Sequence, residues 1–254
     1  MSGPSVVIDR VVKKYGEARA LGDVSMTAAA GSFTAIVGQS GSGKSTLLKT
    51  INRLVDPTRG AVRVGGRDVR KSDPVMLRRS IGYVFQNIGL FPHMDVAENI
   101  AIGPRIAGGE PADVAALLDL VGLPADYAGR MPGELSGGEA QRVGVARALA
   151  GGAKLLLMDE PFGALDPVTR DALGKAVRKL HDDLGLTTLM VTHDMAEALL
   201  LADRVVVMRK GMIVADATPA DILAGKAGRH ATALVEVPLG QVERLIALRD
   251  GATA

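Results

Sequence analysis

The apolar positions of the chain form short runs separated by longer segments with helical spacing. Residues 32–37 form one apolar run, which predicts a buried strand, and residues 46–54 continue from it as a predicted helix. From Lys154 onward the same alternation returns. It predicts strands at residues 155–159, 187–192 and 204–208 and helices at residues 167–184 and 195–202. This alternation is typical of a mostly parallel sheet with helices on both faces.

Two other regions depart from this pattern. Residues 6–12 indicate a strand, and residues 61–64, followed by Gly65 and Gly66, indicate a hairpin strand and its turn, so the N-terminal part is expected to be antiparallel. Residues 87–150 show a helical pattern interrupted by glycine and proline. We therefore predict a single α/β domain over residues 1–254. It consists of an α/β core (1–86 and 151–225), an inserted helical subdomain (87–150) and a short C-terminal tail (226–254).

Composition and charge narrow the classes of function. Hydrophobic residues make up 47% of the chain, and there is no cysteine, which excludes disulfides and thiolate metal sites and fits a reducing cytosol. The net charge is +2, without a block of lysine and arginine, and 3% of residues are aromatic, which argues against a nucleic-acid partner. No apolar run reaches the ~18 residues of a spanning helix, and no signal peptide is evident. We expect a soluble chain whose membrane role would require a partner.

The strand at residues 32–37 leads into the clearest candidate site. The motif G-x-x-x-x-G-K-[ST] is formed by Gly38, Gln39, Ser40, Gly41, Ser42, Gly43, Lys44, Ser45 and Thr46. Between a strand and a helix, such a loop surrounds the β- and γ-phosphates of a nucleoside triphosphate with backbone amides. Lys44 would bridge these phosphates and the Ser45 hydroxyl would bind Mg²⁺. The alternative is an ordinary glycine- and serine-rich turn, which the flanking elements disfavour.

Two acidic residues, Asp159 and Glu160, end the apolar strand at residues 155–159. In a phosphate-loop fold, this position brings Asp159 near Mg²⁺, through a water, and Glu160 beside the attacking water. An apolar strand that ends in acidic residues is common by itself, and a helix cap explains it at least as well. The assignment therefore depends on the motifs that accompany it.

A second candidate anion site is the segment Leu135-Ser136-Gly137-Gly138-Glu139, which precedes a predicted helix at residues 140–150. The Ser136 hydroxyl and the two glycine amides would face an anion at the helix N-terminus. The alternative is simple helix capping by Ser136, with Glu139 completing a capping box, and both can hold together. Because this segment lies in a separate subdomain, one chain does not easily bring both cradles to one nucleotide. In a head-to-tail dimer that encloses two nucleotides, each nucleotide meets the phosphate loop of one chain and the Ser136 segment of the other.

These motifs occur in one order over residues 6–223, and the chain closely resembles the ATPase subunits of the ATP-binding cassette (ABC) family. The resemblance implies hydrolysis of ATP with Mg²⁺, and it makes Glu160 the general base. It also implies that Ser136, Gly137, Gly138 and Asp166 of one subunit act on the ATP held by the other. The chain departs from the family at Glu139, where glutamine is more frequent.

The same resemblance assigns three further residues. Tyr15 matches the aromatic residue that stacks on adenine. Gln86 matches the glutamine that reaches Mg²⁺ and the water at the hinge of the helical subdomain. His193 matches the histidine that contacts the γ-phosphate. Outside the family context, Tyr15 would be a surface residue and His193 a structural histidine.

Residues 87–94 and 96–100 resemble the ABC subunits that serve uptake of osmoprotectants such as glycine betaine, choline, carnitine or proline betaine. This resemblance implies a homodimer in the ATP-bound state, separate permease subunits, an extracytoplasmic substrate-binding protein and a position on the cytoplasmic face of a bacterial inner membrane. The permease would dock on exposed Leu90, Phe91 and Met94, although these residues could instead fill the subdomain core.

Other members of the family remain as alternatives. These are the ATPase subunit of an importer for another solute, such as an amino acid or a phosphonate, an exporter subunit, and a non-transport ATPase of repair or translation. The exporter is disfavoured because many exporters fuse the cassette to membrane helices, and the non-transport ATPase because it usually has a coiled-coil insertion or tandem cassettes. We also expect no regulation through paired CBS domains or a β-rich domain, because the given sequence leaves no room for either.

Overall fold

In the computed structural model of the protein, which describes residues 2–249, the chain forms a four-stranded and a six-stranded sheet. The smaller sheet contains β1 (Val6–Tyr15), β2 (Ala18–Ala28), β4 (Arg59–Val64) and β5 (Arg67–Asp68), is antiparallel and has the order β2-β1-β4-β5. The larger sheet contains β3 (Phe33–Val37), β6 (Ile81–Val84), β7 (Leu155–Asp159), β8 (Thr187–Thr192), β9 (Arg204–Arg209) and β10 (Met212–Ala217). Its order is β10-β9-β3-β8-β7-β6, and β10 is the antiparallel edge strand.

Helices cover the larger sheet and fill the segment between β6 and β7. The helices are α1 (Lys44–Ile51), α2 (Pro74–Arg79), α3 (Val96–Ala107), α4 (Val114–Leu120), α5 (Gly137–Leu149), α6 (Pro167–Leu184), α7 (Met195–Leu201), α8 (Pro219–Leu223) and α9 (Arg229–Arg249). Short 3₁₀ helices occupy Val69–Lys71, Ala125–Gly129 and Pro132–Glu134. This arrangement confirms the predicted α/β class with a mostly parallel sheet, an antiparallel N-terminal part and a helical insertion.

The central strand β3 divides the hydrophobic core into two layers. Phe33, Ala35 and Val37 face one cluster, which includes residues of α5 and α6, whereas Ile36 faces a second cluster with α1 and the antiparallel sheet. Alternate side chains of a strand point to opposite faces, so a strand that is covered on both faces is apolar throughout. The predicted buried strand is therefore the middle of the molecule.

Several predicted boundaries were wrong. Helix α1 begins at Lys44 and not at residue 46, because Gly43 adopts a left-handed conformation (φ 100) and caps it, and it ends at Ile51 and not at residue 54. Strand β1 continues to Tyr15. The sequence pattern does not predict β2, because a bulge at Asp23 (φ 66) interrupts its alternation, and it does not predict the half-buried edge strand β10.

The loop before α3 is held by a buried amide. The Asn99 side chain accepts a hydrogen bond from the Phe91 N–H (2.8 Å) and donates to the carbonyl oxygens of Phe91, Met94 and Asp95 (2.9–3.1 Å). Of the apolar residues expected to be exposed there, Phe91 is exposed, whereas Met94 is half-buried and Leu90 packs against the core. Among the described residues, no helix combines the length and apolar character needed to cross a membrane.

Helix α5 attaches the helical segment to the sheet through a close contact at Gly82 of β6. A Cβ atom at Gly82 would lie 2.7 Å from the Ala148 carbonyl oxygen and 3.1 Å from a Leu156 methyl carbon. We expect Gly82→Ala to lower the free energy of unfolding by about 1–3 kcal/mol, because the backbone oxygen cannot move without displacing α5. Urea denaturation measures this change.

The matched control is Gly240→Ala in α9, where a Cβ atom meets nothing within 4 Å and no proline follows. This change should stabilise the protein by about 0.5–1 kcal/mol, because alanine favours a helix. Equal effects of the two substitutions would contradict the close contact of α5 with β6.

Candidate functional site

The loop between β3 and α1 is shaped by glycines that no other residue can replace without strain. Gly38, Gly41 and Gly43 have φ angles of 152°, 76° and 100°. A Cβ atom at Gly38 would lie 2.2 Å from the Met208 carbonyl oxygen of β9. The loop therefore lies directly against the neighbouring strand, and its amides are free to point toward an anion at the N-terminus of α1.

Lys44 lies across this loop and is bonded to two of its carbonyl oxygens. Its ammonium donates to the Gly38 carbonyl oxygen (2.8 Å) and to the Gln39 carbonyl oxygen (3.2 Å), and the residue is buried. Burial lowers the pKa of the Lys44 ammonium, and the negative charges of Glu160 and Asp159 act in the opposite direction. The Lys44 ammonium is thus a buried cation whose two hydrogen-bond acceptors are neutral carbonyl oxygens. An anionic phosphate can replace these acceptors.

Asp159 receives two hydrogen bonds and one ion-pair contact from side chains of α1 and β6. The Ser45 hydroxyl of α1 donates to Asp159 Oδ1 (2.7 Å), the Tyr83 hydroxyl of β6 donates to Oδ2 (3.3 Å), and Lys49 Nζ lies 3.7 Å from Oδ2. The carboxylate is buried. Burial, followed by the charge of Asp159 and the hydrogen bond to it, raises the pKa of the Tyr83 phenol.

The Ser45 and Asp159 oxygens fit a magnesium ion. Hydroxyl and carboxylate oxygens are the ligands that Mg²⁺ prefers, and such sites usually add substrate phosphates and waters to one or two protein ligands. Among the described residues, no group of three or more His, Cys, Asp or Glu is arranged to hold a metal by itself. Ser45 and Asp159 would supply two oxygens to such an ion, and phosphate and water would supply the rest.

Glu160 has a strained backbone and two polar neighbours. Its φ angle is 48°, a left-handed conformation that costs about 1 kcal/mol for a residue with a side chain. Its N–H donates to the Val191 carbonyl oxygen of β8 (2.9 Å), which holds this conformation. Glu160 Oε2 accepts a hydrogen bond from Gln86 Nε2 (3.4 Å) and lies 3.3 Å from His193 Nδ1. The carboxylate is thus fixed between two side chains from different loops.

A cavity of about 360 Å³ lies over these groups. Its lining includes Lys44, Ser45 and Thr46 of the phosphate loop motif. It also includes Gln86, Glu160 and His193, which were predicted from the other motifs. Tyr15 lies outside this lining at the end of β1, where its ring is 52% exposed and Lys13 Nζ lies 4.9 Å from the ring centroid. The structure therefore joins the phosphate loop with the separate segments that carry Gln86, Glu160 and His193 in one cavity, and it leaves Tyr15 half exposed.

The segment at residues 135–139 does not line this cavity. Ser136 caps α5, Glu139 accepts a hydrogen bond from the Ser136 N–H (2.7 Å), and the two residues form the predicted capping box. Gly138 packs so closely against α6 that a Cβ atom there would lie 2.3 Å from Thr169 Cγ2. Asp166 lies in the same region and caps α6 through bonds from the Val168 and Thr169 amides.

Glu139 is bound by a residue that the sequence analysis missed. The Tyr127 hydroxyl donates to Glu139 Oε1 (2.6 Å), and the Arg130 guanidinium carbon lies 3.5 Å from the Tyr127 ring centroid. The Tyr127 hydrogen bond, followed by the bonds from Ser136, lowers the pKa of the Glu139 carboxyl to about 2. Glutamate at this position therefore has a local partner, and the departure from glutamine leaves the cap intact.

Comparison with known proteins gives the family. The family model described as ABC transporter matches residues 21–163. The chain belongs to the ABC transporter family. It is 46% identical over 250 residues to the carnitine transport ATP-binding protein OpuCA of Listeria monocytogenes, over 96% of this chain and 62% of the relative. It is 44% identical over 254 residues to the glycine betaine uptake system ATP-binding protein YehX of Escherichia coli, over 97% of this chain and 81% of the relative.

A solved cassette has the same fold as this ABC transporter chain. The ATP-binding cassette MJ0796, in a dimeric post-hydrolysis state bound to ADP and Pi, is 32% identical, with a TM-score of 0.76 over 84% of this chain and 98% of the cassette. This chain spans 62% of the length of the OpuCA relative.

The Tyr83 hydrogen bond to Asp159 can be tested in this ABC transporter chain by following the ionisation of its tyrosines. Because the pKa of Tyr83 is raised, its phenol stays protonated at pH values where a free tyrosine, with a pKa of about 10, ionises. The chain has three tyrosines and no tryptophan. We expect Tyr83→Phe to leave the rise in phenolate absorbance between about pH 9 and about pH 11 unchanged.

The control is the same titration in denaturant, where Tyr83→Phe must remove one of three equal contributions. If the substitution also lowers this amplitude in the folded protein, Tyr83 is not the buried donor to Asp159.

Proposed function

We propose that the chain is the ATP-hydrolysing subunit of an ABC importer for quaternary-amine osmoprotectants such as glycine betaine, choline or carnitine. The observation that carries the hydrolytic part is the position of Glu160 Oε2, 3.4 Å from Gln86 Nε2 and 3.3 Å from His193 Nδ1, at the cavity that Lys44 and Ser45 also line. A fixed carboxylate beside a phosphate cradle is the arrangement that a general base for phosphate hydrolysis requires.

In this proposal each side chain has one task. The Lys44 ammonium leaves its two carbonyl acceptors and binds the β- and γ-phosphates of ATP, and the loop amides from Gly38 to Thr46 bind their oxygens. When bound, Mg²⁺ neutralises phosphate charge, and Ser45, Asp159 and Gln86 would hold it. The Glu160 carboxylate accepts the proton of the attacking water, and His193 contacts the γ-phosphate. Tyr15 stacks on the adenine.

The proposal also includes a homodimer that completes each nucleotide site. Ser136, Gly137 and Gly138 lie at the N-terminus of α5, outside the cavity of their own chain, and these amides would meet the ATP held by the partner copy. Asp166 would lie at the same interface. In a two-fold dimer the same surface is used twice, so both sites close together.

Transport requires further partners. The names of OpuCA and YehX support osmoprotectant uptake. Separate permease subunits would dock on the helical subdomain (residues 87–150) at the exposed Phe91, and a substrate-binding protein would deliver the solute outside the membrane. The α/β core (1–86 and 151–225) would bind ATP on the cytoplasmic face, and no nucleic acid takes part. We assign no step of this cycle to the tail (226–254).

Glu160→Gln tests hydrolysis and transport together. The variant should bind Mg-ATP with an affinity close to that of the unaltered protein, hydrolyse it at least about 100-fold more slowly, and accumulate as a dimer because the nucleotide is not cleaved. Reconstituted with its permease and binding protein, it should lose glycine betaine uptake. Nucleotide binding, phosphate release, sedimentation and uptake of labelled solute measure these effects.

The matched control is Glu236→Gln, an exposed glutamate on α9, which should change none of these properties. A Glu160→Gln protein that hydrolyses ATP normally would refute the general-base role. Normal hydrolysis by the unaltered complex with uptake of a different solute, but not of quaternary amines, would refute the osmoprotectant assignment alone.

A mixed dimer tests whether Ser136 acts on the ATP of the partner. In one dimer, the first chain carries Lys44→Ala and the second carries Ser136→Ala. This pair should retain ATP hydrolysis, because one site still combines an intact Lys44 with an intact Ser136 from the other chain. In a second dimer, both substitutions lie in one chain, and this pair should lose hydrolysis because each of its two sites lacks one residue.

Differently tagged copies allow both dimers to be purified, and phosphate release measures their activity. The opposite ranking, with the second dimer active and the first inactive, would mean that Ser136 serves the ATP of its own chain.

A further inference from the structure

A second cavity borders the phosphate loop and shares Ser40 and Gly41 with the nucleotide cavity. Its volume is about 650 Å³, larger than the 360 Å³ of the nucleotide cavity. It is enclosed by residues 38–42 of the loop, by the end of β9 and part of β10, and by the first turns of α9. None of its lining has a task in the proposed hydrolysis other than the loop itself.

The rim of this cavity is positively charged. Arg209, Lys210, Arg229 and His230 line it, and no aspartate or glutamate does. Among the ion pairs of the described residues, none includes these four side chains. The Arg209 guanidinium instead lies 3.3 Å from His230 Nε2 and 3.5 Å from Nδ1. Arg209, Lys210 and Arg229 thus share the lining of one cavity without a carboxylate, which favours an anion there.

The floor of the cavity is apolar. It is formed by Val207 and Met208 of β9, Val214 of β10, and Ala233 and Leu234 of α9. A cavity with apolar walls and a few convergent charged groups is the usual form of a small-molecule site. A fully hydrated inorganic ion would leave these walls without a partner, whereas a molecule with an apolar body would cover them.

We propose that this cavity binds a small organic anion, with an apolar body against β9, β10 and α9 and a carboxylate, sulfonate or phosphate group at Arg209, Lys210 and Arg229. The site is separate from the ATP site, and its ligand is a regulator and not a reactant.

The position of the cavity allows its ligand to affect the affinity for ATP. Ser40 and Gly41 line both cavities, so an occupant of either one contacts the same two residues of the loop. The turn between β9 and β10 is also bonded to the loop, because the Gly211 N–H donates to the Ser42 carbonyl oxygen (3.0 Å). Occupancy of the second cavity therefore changes the affinity for nucleotide, and nucleotide changes the affinity for the anion by the same factor.

Two fluorescent probes that differ in one group test the proposal. The anionic probe is 8-anilinonaphthalene-1-sulfonate, and its neutral counterpart is N-phenyl-1-naphthylamine, which has the same rings without the sulfonate. The full chain without nucleotide should bind the anion with one site per chain and at least about tenfold more tightly than the neutral probe. Saturating Mg-ADP should shift the dissociation constant of the anion by about twofold or more without displacing it.

Substitutions of the cavity residues test whether the anionic probe binds in this cavity. Arg209→Gln and Arg229→Gln should each weaken binding of the anion by about three- to tenfold and leave binding of the neutral probe unchanged. The matched control is Arg244→Gln, on the same helix α9 but outside the cavity, which should change neither. Far-UV circular dichroism and thermal unfolding establish that each variant is folded.

Three results would overturn the proposal. These are equal affinity for the two probes, complete competition between the anionic probe and Mg-ADP, and equal effects of Arg209→Gln and Arg244→Gln. None of these measurements depends on ATP hydrolysis or on a membrane partner, so failure here is distinct from failure of the proposed transport function.

Discussion

The site depends on the register of three adjacent parallel strands. Val37, at the end of β3, pairs with Thr192 at the end of β8, and Asp159, at the end of β7, pairs with Val191. The carboxyl ends of these strands therefore lie at one edge, and the residues that follow them meet there. A shift of one residue in either pairing would move the phosphate loop, Glu160 and His193 apart.

In this structure protein groups already contact the positions where a phosphate and a metal would bind. Lys44 donates to carbonyl oxygens of its own loop, and the Ser45 hydroxyl donates to Asp159. Under the proposed function, ligand binding replaces each of these bonds by a stronger one to a charged partner. The strained backbone of Glu160 is held by its bond to the Val191 carbonyl oxygen, which is independent of these side chains.

The phosphate loop borders two cavities with different linings. The lining of the nucleotide cavity contains the acidic and polar residues that the hydrolytic proposal uses. The second cavity is lined by Arg209, Lys210 and Arg229, which have no ion pair within residues 2–249, and by apolar side chains that come partly from α9. This arrangement gives the C-terminal helix, which has no part in the proposed chemistry, a physical connection to the nucleotide site through Ser40 and Gly41.

The sequence alone determined the phosphate loop, the buried strands around it and the fold class, because these depend on local spacing and on runs of apolar residues. It also identified Lys44, Ser45, Gln86, Glu160 and His193, which the structure brings to one cavity. Only the tertiary structure decided the partners of Asp159, since Tyr83 lies 76 residues away in the chain, and the bond of Tyr127 to Glu139. It alone revealed the second cavity, whose walls come from the loop, β9, β10 and α9. Strand order and helix packing bring such distant residues together, and no local pattern encodes which distant residues meet.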